Sequence, residues 1–297
     1  MEFVKHYMAD DSLRAALNAL TRQTFGFDFE KWYAGGGWEG DYLPYSLMDG
    51  GKMIANVSAN RMRFCQNGQE RRYIQLGTVM TAKAYLRRGL AAQLMRAAMD
   101  DLRGECDGFY LFGDLSALGF YDKLGFERIA ETRYALREDA RQAALSQAAA
   151  RGPAALFLPV DREDEAVAAR YRQALVTGAA YSALEHVNRR SLHLFYTMSM
   201  KTVRYCEELD AFCVLAHEDG QAVLQSVLCA RRLPLGEILS RIGEPVTMLG
   251  FAPLASDAAL FDAIPWDGGE DYRLFILGDS LRDVQAQGLC FPALSHA

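Results

Sequence analysis

Hydrophobic and polar residues alternate along three early stretches of the chain, residues 44–49, 52–64 and 71–81. A period of two is typical of β-strands with one buried face. Turns of the Asp-Gly-Gly and Asn-Gly type separate the stretches, and such turns are typical of β-hairpins. The pattern therefore predicts an antiparallel meander of three strands.

The middle strand carries a polar face, on which Asn56, Ser58 and Asn60 alternate with small apolar residues. We expect the apolar face to pack on a core and the polar face to meet solvent or a cleft. The alternation inverts at Arg61 and Met62. This inversion indicates a β-bulge or the end of the buried stretch.

Helical spacing of apolar residues begins at Asp11 and again after Gly89, where one apolar stripe runs along the predicted helix. Residues 108–114 then have the pattern of a buried strand, 116–126 that of a short helix, and 126–136 that of a final strand. A strand, a helix and a further strand of these lengths predict a parallel crossover joined to the meander. The first half is therefore predicted to be an α/β domain with a mixed sheet.

A chain of 297 residues is long enough for two domains of about 100 to 200 residues each. We expect a first domain over residues 1–138 and an alanine-rich linker or helical connector over 139–155. Residues 156–297 have the pattern of a smaller α/β domain. Their order of a helix, a hairpin, a helix and strands echoes the first half, which suggests a degenerate copy of it.

Charge and composition exclude some functions. The net charge is -6 and the sequence pI is about 5.5, so bulk electrostatics do not favour binding to nucleic acid or to an anionic membrane. No apolar run approaches the ~18 residues of a membrane span, and the first residues lack the pattern of a secretory leader. We expect a soluble, cytoplasmic protein. No pattern indicates an oligomeric state.

The six cysteines are scattered, without a C-x-x-C pair, and the five histidines are equally dispersed. Free buried thiols in a reducing compartment are the simplest interpretation. We therefore expect no metal site.

Two arginines and a glycine, Arg87, Arg88 and Gly89, stand where the second predicted helix begins. The first amides of a helix lack intrahelical partners and lie at the positive end of the helix dipole, so they attract phosphate. Guanidinium groups strengthen such a site, and glycine allows an anion to approach the main chain. The motif lacks the lysine of a P-loop, which disfavours nucleoside-triphosphate hydrolysis.

The stretches "VMTAKAYLRRGLAAQLM" and "LSALGFYDKLGFERIAE" together resemble the GCN5-related N-acetyltransferase (GNAT) superfamily, and the resemblance spans about residues 10–136. In that family the first motif is a strand, a bend, R/Q-x-x-G-x-G/A and a helix, and the second ends in A-x-x-x-Y-x-K-x-G-F. Gly89 and Ala91 fill the small positions of the first motif. The second is filled by Ala117, Tyr121, Lys123, Gly125 and Phe126. The adjoining strands look like a bacterial two-domain branch of these transferases.

The resemblance implies a GNAT fold and acetyl-CoA as co-substrate, with no metal. The residues implied in acetyl-CoA binding are Val79, Met80, Thr81, Leu86, Arg87, Arg88, Gly89, Leu90, Ala91, Asp114 and Tyr121. Two of them depart from the family pattern, because Leu86 stands where Arg or Gln is usual and Asp114 stands where Asn often contacts the pantetheine.

The family mechanism implies direct attack of an amine on the thioester in a ternary complex, with Tyr121 as general acid. Histone-acetylating members carry a basic glutamate where this chain has Gln75. Larger two-domain relatives that acetylate aminoglycosides use a terminal carboxylate as base. We hypothesise the same role for the Ala297 carboxylate, assisted by His296.

The acceptor is expected to be a primary amine of a small molecule or a peptide. Trp32, Tyr33 and Trp38, with Gln75, are the predicted acceptor contacts, because their acidic, aromatic segment suits a cation. Two alternatives stay open: an acyl or aminoacyl transferase on the same fold, and an acyl-CoA-binding sensor without turnover.

Overall fold

The computed structural model of the protein describes residues 1–161, 163–218 and 220–297. These residues form two mixed β-sheets with helices packed on them, which confirms the predicted α/β class. The strands are β1 (Glu2–Lys5), β2 (Tyr42–Asp49), β3 (Lys52–Gln66), β4 (Gln69–Thr81), β5 (Gly108–Asp114), β6 (Glu127–Ile129), β7 (Glu131–Leu136), β8 (Leu158–Pro159), β9 (Leu184–His186), β10 (Val203–Cys206), β11 (Ala211–Glu218), β12 (Gln221–Leu228), β13 (Val246–Leu249), β14 (Phe261–Trp266) and β15 (Tyr272–Leu277). The helices are α1 (Asp11–Phe25), α2 (Glu30–Ala34), α3 (Leu90–Leu102), α4 (Leu118–Asp122), α5 (Glu138–Ala149), α6 (Glu165–Thr177), α7 (Arg190–Tyr196), α8 (Leu235–Leu239) and α9 (Arg282–Ala286).

The first sheet has the order β1-β2-β3-β4-β5-β15-β6, and β9 adds to β3. The predicted meander is present as β2, β3 and β4, paired antiparallel, and β4 and β5 are parallel. Helix α3 covers one face of this sheet. Its buried positions are Leu90, Leu94, Met95, Ala98, Met99 and Leu102, which follow the predicted stripe.

The second sheet has the order β8-β10-β11-β12-β13-β7-β14. Its fourth and fifth strands, β12 and β13, are parallel, and its other neighbours are antiparallel. The first sheet has the same sequence of parallel and antiparallel neighbours along β1 to β6. The second half therefore repeats the architecture of the first, as hypothesised from the sequence.

The two sheets exchange one strand. β15, from the C-terminal half, lies between β5 and β6 in the first sheet, and β7, from the N-terminal half, lies between β13 and β14 in the second. The prediction of a single final strand over 126–136 is wrong. The strand is interrupted after β6, and the chain continues into the other sheet as β7. The sheets thus do not divide at the boundary expected near residue 138.

The polar face of β3 is buried, contrary to the expectation of solvent or a cleft. Asn56 and Ser58 are both 0% exposed because α1, α2 and their connecting segment cover them. Their side chains are satisfied internally: Ser46 donates to Asn56, Asn56 donates to Ser58, and Ser58 donates to the Tyr42 hydroxyl. A buried strand face can therefore be polar where a closed hydrogen-bond network replaces water.

The expected bulge at Arg61 and Met62 is absent from the structure, since pairing of β3 with β4 is regular from Ser58 to Gln66. The change of pattern has another cause. Met62 and Phe64 continue the buried face into the core between the two sheets, where the second half of the chain packs. The alternation of polar and apolar residues inverts because the region of α1 and α2 covers this face of β3 before Arg61, and the second half of the chain covers it afterwards.

The segment predicted as a linker or helical connector is mostly helix α5, which packs against α8. Ala140 and Ala144 face the core of the second sheet. All six cysteines are free thiols; Cys206, Cys213 and Cys229 are buried as expected, and the other three are half-buried.

The C-terminal segment, residues 288–297, crosses the junction between the sheets. The Phe291 ring stacks on Tyr110 of β5 with centroids 4.0 Å apart, and the Phe291 amide donates to Glu131 Oε1 at 2.8 Å. Glu131 is 5% exposed, and burial is the largest cause that raises the pKa of its carboxyl to about 7. This carboxyl therefore anchors the segment from the wall of the second sheet.

Because each half of the chain supplies a strand to the other's sheet, we expect the two sheets to unfold together. Phe275 of β15 is fully buried against the core of the first sheet, so Phe275→Ala should cost about 3–5 kcal/mol. Hydrogen exchange followed by mass spectrometry should show a matching loss of protection in β3 and β11. Leu158→Ala, at an exposed site, is the control. Loss of protection in β3 alone would contradict the coupling.

A second prediction concerns Glu131. A carboxyl whose pKa is raised in the folded state binds its proton more tightly there than in the unfolded chain, so stability falls as pH rises from about 4.5 through about 7. Glu131→Gln should remove this fall, on the order of 3 kcal/mol. Chemical denaturation at several pH values checks it, with Glu70→Gln, at an exposed glutamate, as the control. Equal slopes for Glu131→Gln and the unaltered protein would contradict the expected effect.

Candidate active site

Strands β4 and β5 separate at the centre of the first sheet. Their parallel ladder has only three residue pairs, from Tyr73–Gly108 to Gln75–Tyr110, although β4 continues to Thr81. The backbone of Thr78 has a positive φ of 47°, and the pairing with β3 shifts register there. Because the Asn56 side chain donates to the Thr78 carbonyl at 2.9 Å, the irregular backbone is held in place.

The separation leaves one edge of Val79, Met80 and Thr81 without a strand partner among the described residues. Their other edge pairs with β3. Free main-chain groups at this edge can bind an extended ligand as an additional strand would.

A row of free amides stands next to this gap. Within residues 1–161, 163–218 and 220–297, the amides of residues 87–92 have no hydrogen-bond acceptor. Arg87 and Gly89 both have positive φ, 61° and 78°, and Gly89 is the N-cap of α3. A glycine here adopts the left-handed conformation without the cost that a side chain would add. The turn and the first turn of α3 therefore present free N–H groups of the kind that can bind an anion.

The arginines of this turn lie at the surface, and Leu90 behind them is buried. Arg88 donates to the Ala84 carbonyl at 2.9 Å, and its guanidinium lies over the Tyr85 ring. Leu86, at the position of the missing Arg or Gln, is 54% exposed. The charge therefore comes from Arg87 and Arg88.

Tyr121, on α4, packs beneath the end of β5. A side chain at Gly113 would lie 2.7 Å from the Tyr121 ring, so glycine is needed for this contact. Burial raises the pKa of the Tyr121 hydroxyl to about 12, with a smaller contribution from Asp114. The phenol therefore keeps its proton at neutral pH. Its hydroxyl makes no hydrogen bond to any other residue the structure describes.

Asp114 ends β5 and is exposed. Its carboxylate accepts from the Ser116 amide at 2.7 Å, and hydrogen bonds from Ser116 lower its pKa. The same residue pairs with Tyr272 of β15. The side chain thus caps the turn that leads to Tyr121.

Ala297 lies over the gap between β4 and β5. Its main-chain oxygen accepts from Gln75 Nε2 at 3.3 Å, and a side chain at Gly77 would come within 2.4 Å of it. His296 stacks on Phe112 with centroids 3.8 Å apart, and burial lowers the pKa of its imidazole to about 4. The C-terminal residues and the centre of the first sheet therefore share one site.

The matching gap of the second sheet is filled by the same segment. The Ala293 amide donates to the Gly250 carbonyl at 2.7 Å just beyond the parallel pairing of β12 and β13. A side chain at Gly250 would approach both Ala293 and Gln225 to 3.0 Å. In the second sheet, the C-terminal segment therefore fills the gap that corresponds to the one between β4 and β5 of the first sheet.

The predicted acceptor contacts have different environments. Trp32 is 3% exposed, donates to the Ser191 carbonyl and packs with Phe195, so its ring belongs to the core between the halves. Tyr33 stacks near Trp38, and the Arg14 guanidinium lies over the Tyr33 ring at 3.8 Å. These aromatics serve packing contacts within the protein.

Gln75 is the predicted contact that lies at the gap. Its Oε1 accepts from Tyr110 at 3.2 Å, and its Nε2 donates to Ala297. Asn60 is opposite it on β3, is 4% exposed and has an Nδ2 group without a partner in the part of the chain that the structure describes. Sequence analysis missed Asn60 as a site residue, because its alternation with apolar residues matched a solvent-facing strand.

The described residues contain no cluster of three or more His, Cys, Asp or Glu side chains suited to a metal ion. None of their helices has the length and apolar character needed to cross a membrane.

Comparison with known proteins supports the resemblance. Residues 11–126 match the model of the acetyltransferase (GNAT) family. A GCN5-related N-acetyltransferase from Kribbella flavida matches with a TM-score of 0.51 and 15% identity, over 93% of this chain and 70% of that one. One from Anabaena variabilis ATCC 29413 matches at 0.52 and 13%, over 93% and 72%. Eis1 from Mycobacterium abscessus matches at 0.52 and 13%, over 92% and 73%.

A comparison with curated protein sequences gave no match. Identities of 13–15% show a shared fold and leave the substrate open. The family match over residues 11–126 and the fold shared along most of the chain confirm the resemblance stated from the sequence. Residues 11–126 match the GNAT family, whose members are acyltransferases, and the chain shares its fold with solved GNAT proteins along most of its length.

Proposed function

We propose that the protein transfers an acetyl group from acetyl-CoA to a primary amine, by direct attack within a ternary complex. The observation that carries the proposal is the row of free amides at residues 87–92, next to the unpaired edge of Val79, Met80 and Thr81. The first suits a diphosphate, and the second suits a pantetheine arm with its amide groups. Acetyl-CoA, as a co-substrate, presents both groups.

Charge supports this assignment. The protein carries a net charge of -6, so an anionic co-substrate needs a local positive site. Arg87 and Arg88 supply it together with the dipole of α3. The exposed Leu86 contributes no charge, which makes the two arginines the main cationic contacts.

The chemistry requires no covalent intermediate on the protein. The amine nitrogen attacks the thioester carbonyl carbon, the new C–N bond forms, and the C–S bond breaks to release the thiolate. Holding both reactants at the gap supplies much of the acceleration, and main-chain amides of β4 stabilise the oxyanion.

Tyr121 is proposed as the general acid. Because burial holds its pKa at about 12, the phenol has a proton to give to the departing thiolate. Its position beneath the end of β5, with a hydroxyl free of partners within the described residues, suits this role.

The Ala297 carboxyl group is proposed as the base that accepts the proton of the attacking amine. Its carbonyl oxygen already lies at the gap, held by Gln75. Gln75 stands where some relatives carry a glutamate, and an amide can orient the base without accepting a proton itself. His296, neutral because of its lowered pKa, fixes the segment by stacking on Phe112.

The proposal is tested by thiol release from acetyl-CoA across a panel of amines, together with calorimetry of CoA binding. Tyr121→Phe should lower kcat by roughly tenfold or more while CoA affinity stays near normal, because only the acid is removed. Tyr171→Phe, at a buried tyrosine in the second half, is the matched control and should retain full activity.

Absence of CoA binding in the unaltered protein would refute the transferase assignment. If CoA binds and no amine releases thiol, the acyl-CoA sensor is favoured instead. If Tyr121→Phe has normal turnover, the acid is another group.

The base is tested by adding two glycines after Ala297. This extension keeps every side chain of the segment and turns the carboxylate into a neutral amide. We expect kcat to fall by roughly tenfold or more, with CoA affinity unchanged. An Ala297→Gly variant keeps the carboxylate and should retain activity. Equal turnover in the extended and unextended proteins would exclude this carboxyl group as the base.

A further inference from the structure

A cavity of about 340 Å³ lies between the two sheets, beside the C-terminal segment. Its walls come from strands β7, β11, β12, β13, β14 and β15 and from residues of the C-terminal segment. The side chains that matter below are Glu131, Arg133, Trp266, Tyr272, Asp271 and Glu218. The volume falls in the range of small-molecule sites.

The cavity adjoins the gap between β4 and β5. His296 lines it, stacks on Phe112 of β5 and precedes Ala297, which contacts Gln75. Tyr272 also lines it and pairs with Asp114, where β5 ends. The cavity therefore meets the sheet on the face opposite α3 and Tyr121, with the strand gap between them.

A carboxyl and a guanidinium line the inner wall, and each lacks a salt-bridge partner in the described part of the chain. Glu131 and Arg133 are two residues apart on β7, so their side chains lie on the same face of the strand. Glu131 accepts from the Phe291 amide, and the Arg133 guanidinium lies over the Trp266 ring at 3.7 Å. Neither contact is a salt bridge.

Buried or half-buried charges are costly unless they are paired. A guanidinium and a carboxyl that face the same cavity without forming a salt bridge with each other can each pair with a ligand group of opposite charge. The other two acidic side chains at the cavity, Glu218 and Asp271, are exposed, and water and salt screen them. The inner pair therefore decides the ligand class.

We infer that this cavity holds the acceptor, and that the acceptor carries a carboxylate in addition to its amine, as an amino acid does. The inference rests on the proposed function. The planar Arg133 fork, held flat on Trp266, binds the carboxylate through two hydrogen bonds. The Glu131 carboxyl accepts a hydrogen bond from the ammonium group at the wall that leads to Ala297.

The transfer balances as for any amine. The ammonium gives one proton to the base, its nitrogen forms the bond to the acetyl carbon, and the C–S bond breaks to leave CoA. The thiolate takes the proton of the general acid, which regains one from water, and the nitrogen loses a second proton to water and keeps one N–H in the amide. The products are an N-acetyl amino acid and free CoA.

The test compares each standard amino acid with the amine left after removal of its carboxylate, such as lysine with cadaverine and tryptophan with tryptamine. The unaltered protein should have kcat/KM at least tenfold higher for the carboxylated member of the best pair. Arg133→Met should lower that value by about tenfold to hundredfold and leave the decarboxylated member within about twofold. For the carboxylated member, the kcat/KM of Arg133→Lys should lie between those of the unaltered protein and Arg133→Met. This second variant keeps the inference testable if Arg133→Met does not fold.

Arg128→Met is the control, because Arg128 is an exposed arginine paired with Asp122 outside the cavity. Equal losses for both members of the pair in Arg133→Met, or a preference of the unaltered protein for the decarboxylated amines, would overturn the inference while acetyl transfer stands. Calorimetry with the amino acids in the absence of acetyl-CoA separates the two proposals. Binding that depends on Arg133 without any thiol release would refute the transferase function.

Discussion

The pairing of β15 with β5 is the constraint on which the first sheet and its site depend. β15 comes from the C-terminal half and lies between β5 and β6, so without it β5 would be an open edge. Phe275 of this strand packs against Tyr121, and Tyr272 adjoins Asp114. The residues proposed to bind and transfer the acetyl group are thus held by a strand that lies about 150 residues further along the chain.

The same exchange explains how the C-terminal segment reaches the gap between β4 and β5. After β15 the chain turns through α9 and crosses the core between the sheets, where Phe291 stacks on Tyr110. Glu131, on the strand that the first half gives to the second sheet, holds the Phe291 amide. Each exchanged strand therefore contacts the segment that carries Ala297, β7 through Glu131 at Phe291 and β15 through Tyr272 at His296.

The local elements of the first half could be predicted from sequence because each is specified by neighbouring residues. The stripe of α3, the hairpins of β2, β3 and β4, and the small residues Gly89 and Ala91 all depend on short-range patterns. The destinations of β7 and β15 could not be predicted, because both have ordinary strand patterns and only long-range packing selects the sheet.

The same limit applies to the site. Trp32 was a predicted acceptor contact because aromatic residues in an acidic segment suit both a cation site and a core. The sequence does not report the burial that distinguishes the two. Asn56 and Asn60 matched a solvated face because alternation alone does not report what covers a strand. The sequence pattern did not indicate a cavity at Glu131 and Arg133, since that cavity is formed by strands far apart in the sequence.

The exchange also bears on how such a molecule can change over time. Where two domains are independent, either one can be lost or replaced in evolution. Here each half supplies an internal strand of the other's sheet. The C-terminal segment fills the strand gap of the second sheet at Ala293 and Gly250, and yet the second half cannot be removed, because it supplies the strand that covers β5. Two halves linked in this way must be retained together, and the second half is required for the architecture of the first.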